Sequence, residues 1–600
     1  MKPTIENLKD TFKYSYDVFE DSRKEALKTI DFYHNRHYTT DQLNTLKKRG
    51  QPAETFNIIK LFGRMLLGYY STIVNSVKVI PAKEDSVITA QVLQDTVDYV
   101  FRTNNFNSEG DKIKLDMILT GLMCSYTDVE KLDETDEFGR PKYKINIHHI
   151  PSLELAIDPM SRLDDYSDAK YIHRFKWVAQ EDVDRMFGKA KREKIDAYYN
   201  YLNIKDADFS YTYKSEFVGM YKRHDNYLIV HSIIKDDDKS YSIYWCQDEI
   251  LSKEEITYKE VKNPYRLQKL NTSNRAEFYG LFRDILETQN AINQALLKIQ
   301  LMVNTQKAFV EDGAVVDLDA FTDQFNRVNA IIPVKNLAGI KIENLTREVL
   351  DQYTVIDKAL DRVQRVLSIN DSFLGMAYAS DSGAKVKLQQ NASAVAQRYS
   401  TSKIEQFYRL LGWDVVNLIK QYFTAHDIIR VSDNYQGNKW IELNKPLEIQ
   451  TPNGPKKVFE EVTQPETGKP MKDKNGNAVV APIPTIDTDI AFTKADIELD
   501  SVSFNDDDSQ NQQLLEQFIN GPLGNLLAQA NPAGYFQAGA LSVKNTKSKY
   551  SLELAGILEQ TAQMLTPQQQ AAMQQGQMDG QMPQQQAMNN MAGRAMTGAE

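Results

Sequence analysis

The stretch FRDILETQNAINQALLKIQLMV, residues 282–303, is the most regular part of the sequence, and VLDQYTVIDKALDRVQRVL, residues 349–367, repeats its pattern. In both stretches the apolar residues alternate steps of three and four, the 3.5-residue period that keeps one seam of a helix facing a neighbouring helix. The seam positions include Phe282, Ile285, Ile292, Leu296 and Ile299 in the first stretch and Val349, Tyr353 and Leu360 in the second. The sequence predicts two long helices whose seams pack either as a core stripe or between subunits of a ring.

The two helices are separated by about forty residues of a different character. Short strand-like runs occur at 308–310 and 328–334, and neither has the period of a long helix. The aspartates of this segment are Asp312, Asp317, Asp319 and Asp323. The pattern predicts a small, acidic, partly β excursion carried by the helices.

A loop and a third helix are expected after the second helix. Residues 368–383 include Gly375 and Gly383 among small and polar neighbours, which is typical of a loop. From about 384 to 423 the apolar residues again have mostly helical spacing. Lys385 and Lys387 lie at the start of this helix, where they either contact a polyanion or form a solvated helix end.

The rest of the chain mixes helices and strands. Residues 1 to about 130 have helical spacing, whereas 143–150 alternate polar and apolar side chains as a strand does. Runs at 227–234 and 241–245 predict a hairpin, and further strand-like runs occur at 428–431, 440–443 and near 490–504. The last forty residues are rich in Gln and Met and lack aromatic residues, so we expect a disordered or loosely helical tail. The fold class predicted is α+β.

Composition limits what the chain does. Its 600 residues are too many for a single hydrophobic core. The content of 42% hydrophobic and 26% charged residues is typical of a folded soluble protein. The net charge of −11 argues against non-specific duplex binding by the whole surface. Only Cys124 and Cys246 are present, which excludes a disulfide framework and a cysteine-based zinc site. No stretch has the length and apolar character of a membrane span, so we expect no direct membrane binding.

Sequence signatures of catalysis are missing. The chain has no phosphate-binding P-loop, no G-x-S-x-G nucleophile turn and no H-E-x-x-H pair. His148 and His149 are adjacent, so on a strand they point to opposite faces and do not easily share a metal. The aspartates at 158, 164, 165 and 168 lack the spacing of a calcium loop and are expected to form a solvated turn. We therefore predict no enzyme activity, cofactor or metal.

Short motifs in a fixed order resemble the portal proteins of tailed bacteriophages, particularly the short-tailed, podovirus-type head-to-tail connectors. The first motif is Arg49-Gly50-Gln51-Pro52, followed by Asn57 and a helix to Gly68. The second is Asp158-Pro159, followed by Asp164, Asp168, Trp177 and Glu181-Asp182. The third is Tyr279-Gly280, followed by the helix that bears Gln289 and Asn293. Together with the order helix, excursion, helix, loop and long helix, the resemblance covers roughly residues 40–445.

The resemblance implies a multi-region portal fold that assembles into a ring. The implied regions are a first wing part at 1–270, stem helix one at 271–303, a small α/β clip at 304–345, stem helix two at 346–369, a tunnel loop at 370–386, a long wing helix at 387–424, a second wing part at 425–505, a helical crown at 506–560 and the Gln- and Met-rich tail at 561–600. The seam residues would then belong to the stem.

The resemblance also implies a function without catalytic residues. It implies a homo-oligomer, as a dodecamer, at one vertex of the virion capsid, assembled in the bacterial host cytoplasm, through which double-stranded DNA is packaged and ejected. Lys385, Lys387, Gly375 and Gly383 would line the DNA channel, and the four clip aspartates would dock the terminase large subunit and later tail adaptor proteins. Major capsid and scaffolding proteins are the other implied partners.

Two alternatives stay open from the sequence. The chain could be a different virion connector or scaffold protein, which would assemble without a wide axial hole. It could also be a nucleic-acid-processing enzyme of a phage, with catalytic groups that no motif announces.

Overall fold

The computed structural model describes residues 2–499 with longer gaps at 202–225, 326–333 and 371–391 and shorter gaps of one to five residues, and beyond them mainly 531–544. The described helices are α1 (Ile5–Val18), α2 (Glu20–Tyr33), α3 (Thr40–Lys48), α4 (Ile58–Thr72), α5 (Val87–Thr103), α6 (Phe106–Thr120), α7 (Gln180–Phe187), α8 (Lys189–Tyr201), α9 (Leu286–Asn304), α10 (Leu318–Phe325), α11 (Thr346–Val366), α12 (Arg398–Tyr422) and α13 (Pro532–Lys544).

The described strands form mostly antiparallel ribbons and two larger sheets. They are β1 (Val77–Pro81), β2 (Leu122–Thr135), β3 (Pro141–His149), β4 (Leu155–Ile157), β5 (Tyr171–Ala179), β6 (Asn226–Asp236), β7 (Lys239–Cys246), β8 (Glu249–Glu255), β9 (Tyr265–Lys269), β10 (Asn271–Thr272), β11 (Phe278–Tyr279), β12 (Lys307–Val310), β13 (Ile340–Glu343), β14 (Asp427–Asp433), β15 (Gly437–Leu443), β16 (Glu448–Thr451), β17 (Gly454–Lys457), β18 (Phe459–Glu461), β19 (Val480–Pro482) and β20 (Ala495–Leu499). The order is β4-β5-β6-β7-β8 in the five-stranded sheet and β3-β2-β9 in the three-stranded sheet.

The α+β class predicted from the sequence is confirmed. The expected strand at 143–150 is β3, and the expected hairpin is β6 and β7, which pair antiparallel with Val230 opposite Trp245. The amino-terminal region is less uniformly helical than predicted, because β1 interrupts it and pairs with β20, more than four hundred residues away in the chain. Periodicity within a short window carries no signal for so distant a partner.

The main hydrophobic core surrounds α12. The side chains of Phe407, Leu411, Val415, Leu418 and Ile419 are fully buried, and they pack with residues of α4, α5, α6, α9 and α11 in one cluster. Apolar residues at three- and four-residue steps place these side chains on one face. The long third helix is therefore a central strut rather than a surface element.

A second core lies between α1 and the five-stranded sheet. Phe12 of α1 packs edge-on against Phe175 and Trp245, with ring centroids 5.5 and 5.9 Å apart. The same layer buries His173, whose ring nitrogens lie 2.7 Å from Ser232 Oγ and 3.1 Å from Thr11 Oγ1. The sheet is thus covered on this side by the first helix of the chain.

The helix pair, defined as α9 and α11, carries the excursion, defined as residues 304–345. The first helix of the pair begins at Leu286, whereas the region assigned to it, 271–303, begins fifteen residues earlier. Strands β10 and β11 form a ribbon within 271–279 instead. The two helices pack against each other and share the main core. The described part of the third helix begins at Arg398, after helical residues at 392–393 and 395–396, and residues 384–391 lie outside the described residues.

Candidate assembly and docking surfaces on the helix pair and the excursion

Two glycines set the base of the helix pair. Gly121 has φ +86°, and a Cβ there would lie 2.1 Å from the carbonyl of Tyr279. A Cβ on Gly280 would lie 2.5 Å from the carbonyl oxygen of Leu119. The backbone N–H of Leu281 donates to Ile118 O at 2.9 Å across this contact. The Tyr279-Gly280 motif therefore marks where the chain passes against α6 before entering α9.

A buried polar pair fixes the first turns of α9. Gln289 Oε1 accepts from the backbone N–H of Ile58 at 2.9 Å, and its Nε2 donates to Phe56 O and to Asn293 Oδ1, both at 2.9 Å. Asn293 Nδ2 lies 3.2 Å from His37 Nδ1. These bonds satisfy the start of α4, whose first backbone N–H groups have no partner within their own helix. The sequence signal was a glutamine at an otherwise apolar seam position, and its anchoring role was missed.

Two ion pairs tie the same end of the helix pair to α2. Arg283 Nε donates to both carboxylate oxygens of Glu25, at 2.7 and 2.9 Å. Lys28 Nζ lies 2.8 Å from Glu287 Oε1 on an exposed surface. Together with Gln289 these contacts join the start of α9, the end away from the excursion, to the amino-terminal helices.

The seam changes character along the helix pair. Phe282, Ile285, Ile292 and Ile299 are buried within the subunit, and Leu296 and Leu360 pack partly buried against the same core. The later seam positions behave differently, since Val303 is 62% exposed, Tyr353 is 50% exposed and Val349 is only partly buried. The seam is therefore a core stripe far from the excursion and an open apolar surface near it.

Further apolar side chains near the excursion are exposed on other sides of the same two helices. Leu301 lies in the last turn of α9, and Leu350 and Val355 lie in the first turns of α11, and all three are exposed. Since β12 pairs with β13 just beyond both helices, these ends of α9 and α11 lie side by side. We call Leu301, Val303, Leu350, Tyr353 and Val355 the open surface. Exposed apolar residues are normal when scattered singly, but five at the ends of two adjacent helices favour an interface with other chains.

The excursion is a small folded unit. Strands β12 and β13 pair with Phe309 opposite Lys341, and Val315 bridges to Val334. Ala314 and Phe321 are buried, while Gly313, at φ +83°, makes a turn that a residue with a Cβ adopts only with strain. The expected acidic, partly β character is present.

The aspartates of the excursion divide into two roles. Asp317 Oδ1 accepts from the backbone N–H of Asp319 at 2.9 Å and thereby caps α10. Asp312, Asp317 and Asp319 are exposed. Asp323 lies in α10, and its side chain is not among those that the structure describes. Four exposed apolar side chains accompany them, a feature that sequence reasoning missed because they follow no period: Phe309, Val316, Leu318 and Leu337.

The predicted loop after α11 is held at its base. Ser368 has φ +55°, and Ile369 N–H donates to Gln364 O while Ser368 N–H donates to Arg365 O, which closes α11 with a Schellman-type end. Gln397 Nε2 donates to Leu367 O at 2.8 Å, and its Oε1 accepts from Tyr70 O–H at 2.7 Å. Gln397, which directly precedes α12, therefore contacts both the end of α11 and Tyr70 of α4. The proposed channel residues Gly375, Gly383, Lys385 and Lys387 lie outside the described residues.

Polar contacts hold α12 against the strands. Arg266 of β9 makes two bonds to Asp414, with Nε to Oδ2 at 2.8 Å and Nη2 to Oδ1 at 2.6 Å. Burial raises the pKa of Asp414, and the charge of Arg266 opposes that rise. Lys403 Nζ lies 2.5 Å from Asp164 Oδ2. The helix that follows the loop is thus fixed at two points along its length.

The remaining polar candidates have structural roles. Asp168 accepts from Ser161 Oγ and the N–H of Arg162 in an exposed turn, as expected. Asp158 is buried rather than solvated, and it accepts from the backbone N–H groups of Met160 and Lys170. His149 Nε2 lies 2.9 Å from Asp116 Oδ2. Within the described ranges no three His, Cys, Asp or Glu side chains come together to hold a metal ion. Among the described helices none is long and apolar enough to cross a membrane.

Comparison with known proteins gives two findings. The model of the family described as phage P22-like portal protein matches residues 9–600. The chain is also 23% identical over 446 residues to a portal protein of Helicobacter pylori bacteriophage KHP30, and the match covers 73% of this chain and 70% of that protein.

Proposed function

The chain belongs to the phage P22-like portal protein family, and from this premise we propose that it forms a dodecameric ring through which double-stranded DNA is packaged and ejected. The family is structural rather than enzymatic, so the alternative of a nucleic-acid-processing enzyme is wrong. A portal protein is a virion component at the capsid vertex, forms oligomeric rings and contacts capsid, terminase and tail components. The subunit number, the packaging role and the particular partners are our proposals.

We assign the helix pair to the stem and the excursion to the clip. The wing is formed by 1–270 and 425–505, with 387–424 as its long helix, 370–386 as the tunnel loop, 506–560 as the crown and 561–600 as the tail. The order of elements along the chain supports this assignment, since two long helices flank one small folded unit and the long helix α12 follows them.

One observation carries the ring proposal, namely the change of exposure along the seam. Ile292 is fully buried inside the subunit, whereas Val303 and Tyr353, at equivalent positions of the same repeat, are at least half exposed. A seam that a single subunit leaves open gains stability when a neighbouring copy covers it, at roughly 25 cal/mol per Å² of apolar surface removed from water. The open surface is therefore the part of the stem that a neighbouring subunit would cover.

The clip surface supports docking of the terminase large subunit during packaging and of tail adaptor proteins afterwards. Its exposed Phe309 and Leu337 are large apolar side chains, and Asp312, Asp317 and Asp319 supply negative charge beside them. Interfaces commonly combine an apolar centre with a charged rim, and charge complementarity sets the orientation of the partner. The proposed partners should therefore present basic residues around an apolar patch.

The charge of the assembly favours passage of DNA over retention. Twelve copies of −11 give −132 formal charges, so the ring as a whole repels a duplex. A channel with many cationic contacts would bind phosphates tightly, whereas Lys385 and Lys387 would supply a few weak sliding contacts. The wing would meet the major capsid and scaffolding proteins while the virion assembles in the host cytoplasm.

The test is the mass of the purified protein with one open-surface position changed. Twelve copies of the 68.7-kDa chain amount to about 824 kDa by native mass spectrometry. Leu350→Asp should shift the population to smaller species, since a charge in a buried interface is costly. Leu43→Asp, on the exposed part of α3, is the matched control and should leave the large species intact. A normal yield of the large species from Leu350→Asp would contradict the proposal.

A further inference from the structure

Three residues that line one small cavity each carry a buried polar atom without a hydrogen-bond partner. The atoms are Ser22 Oγ, Arg23 Nη2 and Ser152 Oγ, in residues that are 4%, 7% and 4% exposed. The rest of the lining is apolar: Phe19, Ala26, Leu153, Leu155, Ile157 and Phe278. A buried polar group left without a partner is destabilising, so three residues with such groups around one cavity point to a common partner.

The chemistry of the three groups defines that partner. The guanidinium of Arg23 only donates, while the hydroxyls of Ser22 and Ser152 both donate and accept. The guanidinium carbon lies 3.6 Å from the centre of the Tyr16 ring, so Tyr16 covers one face of the group. Burial lowers the pKa of Arg23, which agrees with a cation held out of bulk water. The partner must accept from Arg23 and exchange hydrogen bonds with two hydroxyls.

The size of the cavity selects among small ligands. The space open to the centre of a water-sized sphere is about 10 Å³, which is close to what a single water molecule requires. A halide is larger than water, and phosphate or sulfate is larger still. We propose that this cavity is a binding site for one structural water molecule, which accepts from Arg23 Nη2 and bridges the hydroxyls of Ser22 and Ser152.

The position of the site gives the water a mechanical role. Ser22 and Arg23 belong to α2, while Ser152 lies in the turn after β3. The backbone N–H of Ser152 donates to Asp116 Oδ2 at 3.1 Å. Helix α2 also holds the helix pair through Glu25 and Lys28. A bridging water is nearly as favourable as a direct hydrogen bond, so it would join α2 to the strands just where the helix pair is anchored.

The experiment uses the full chain in its assembled form. A cryo-electron microscopy map at a resolution that shows ordered water should contain a single peak within hydrogen-bond distance of all three atoms. Ser152→Ala should lower the thermal midpoint by about 1–2 °C, since one partner of the water is lost. Ser125→Ala is the matched control, because Ser125 Oγ is also buried without a partner but does not line this cavity.

The control should leave the midpoint unchanged or raise it, because removing a buried hydroxyl that has no partner relieves a cost. A map with no peak in the cavity would overturn the proposal, as would a peak that shows anomalous scattering after bromide replaces chloride in a crystal. Equal effects of Ser152→Ala and Ser125→Ala would overturn it as well.

Discussion

Loss of the Asp414 carboxylate should destabilise the protein far more than loss of an exposed carboxylate. Asp414 is 4% exposed and Arg266 is 17% exposed, and two hydrogen bonds join them. Asp414→Ala leaves a mostly buried guanidinium without its partner, which costs roughly 3–5 kcal/mol. Because Arg266 keeps some contact with water, we expect the lower end of that range, about 3 kcal/mol.

The two partners should respond differently to pH. In Arg266→Met the buried Asp414 is left without its cation, and burial already raises the pKa of this carboxyl. A carboxyl whose pKa is higher in the folded state gains relative stability as the pH falls, since the folded protein then binds the proton more readily. The cost of Arg266→Met should therefore shrink on acidification, whereas that of Asp414→Ala should not, because an arginine stays charged.

The assay is urea unfolding followed by tryptophan fluorescence, to which Trp413, the residue before Asp414 in α12, contributes. Asp361→Ala is the control, since its pair with Arg365 is exposed and should contribute less than about 1 kcal/mol. Replacing both partners, as Arg266→Met with Asp414→Leu, should restore most of the stability. A coupling free energy below about 0.5 kcal/mol in the cycle of Arg266→Met, Asp414→Leu and the double variant would refute the reasoning.

Three further predictions concern single positions. Burial lowers the pKa of both His173 and His231 to about 3, so on acidification below pH 6.5 the unfolded chain binds protons that the folded chain does not. Stability should fall by about 3 kcal/mol from pH 6.5 to 5, and a flat denaturation profile over that range would contradict this. Gly121→Ala should lower the free energy of unfolding by about 3 kcal/mol, because φ is +86° and Tyr279 blocks the added Cβ, whereas Gly68→Ala, whose Cβ meets nothing within 4 Å, should raise it by about 0.5–1 kcal/mol. Equal denaturation midpoints for the two variants would contradict these expectations. Ser368→Gly should raise stability by about 1 kcal/mol, since φ is +55° there, and a lower melting midpoint would contradict the assigned helix end.

The period of the apolar residues was sufficient to predict the helix pair. Alternating steps of three and four define a face wherever the face is buried, and in the structure the predicted seam residues Phe282, Ile285, Ile292 and Ile299 are buried while Leu296 is partly buried. The same period does not predict that Val303 and Tyr353 are exposed in a single subunit, because exposure depends on where the neighbouring helix and any neighbouring copy lie. Sequence reasoning therefore left core stripe and ring seam as alternatives, and the single chain shows the first for most of the seam.

Contacts between distant parts of the chain could not be predicted from the sequence pattern. The pairing of β1 with β20 and the fit of Gly121 against Tyr279 join segments that are far apart in sequence. Gln289 was noticed as part of a motif, but its bonds to the start of α4 depend on tertiary structure. The channel role of Lys385 and Lys387 and the docking role of the clip aspartates stay predictions.

The most direct test of the central claim is cryo-electron microscopy of the purified full chain, with class averages examined for rotational symmetry. The account predicts twelvefold rings with an axial hole wide enough for a DNA duplex and with the open surface of α9 and α11 covered by the adjacent subunit. Monomers or compact dimers, or rings in which Leu350 and Tyr353 contact no neighbouring subunit, would contradict it.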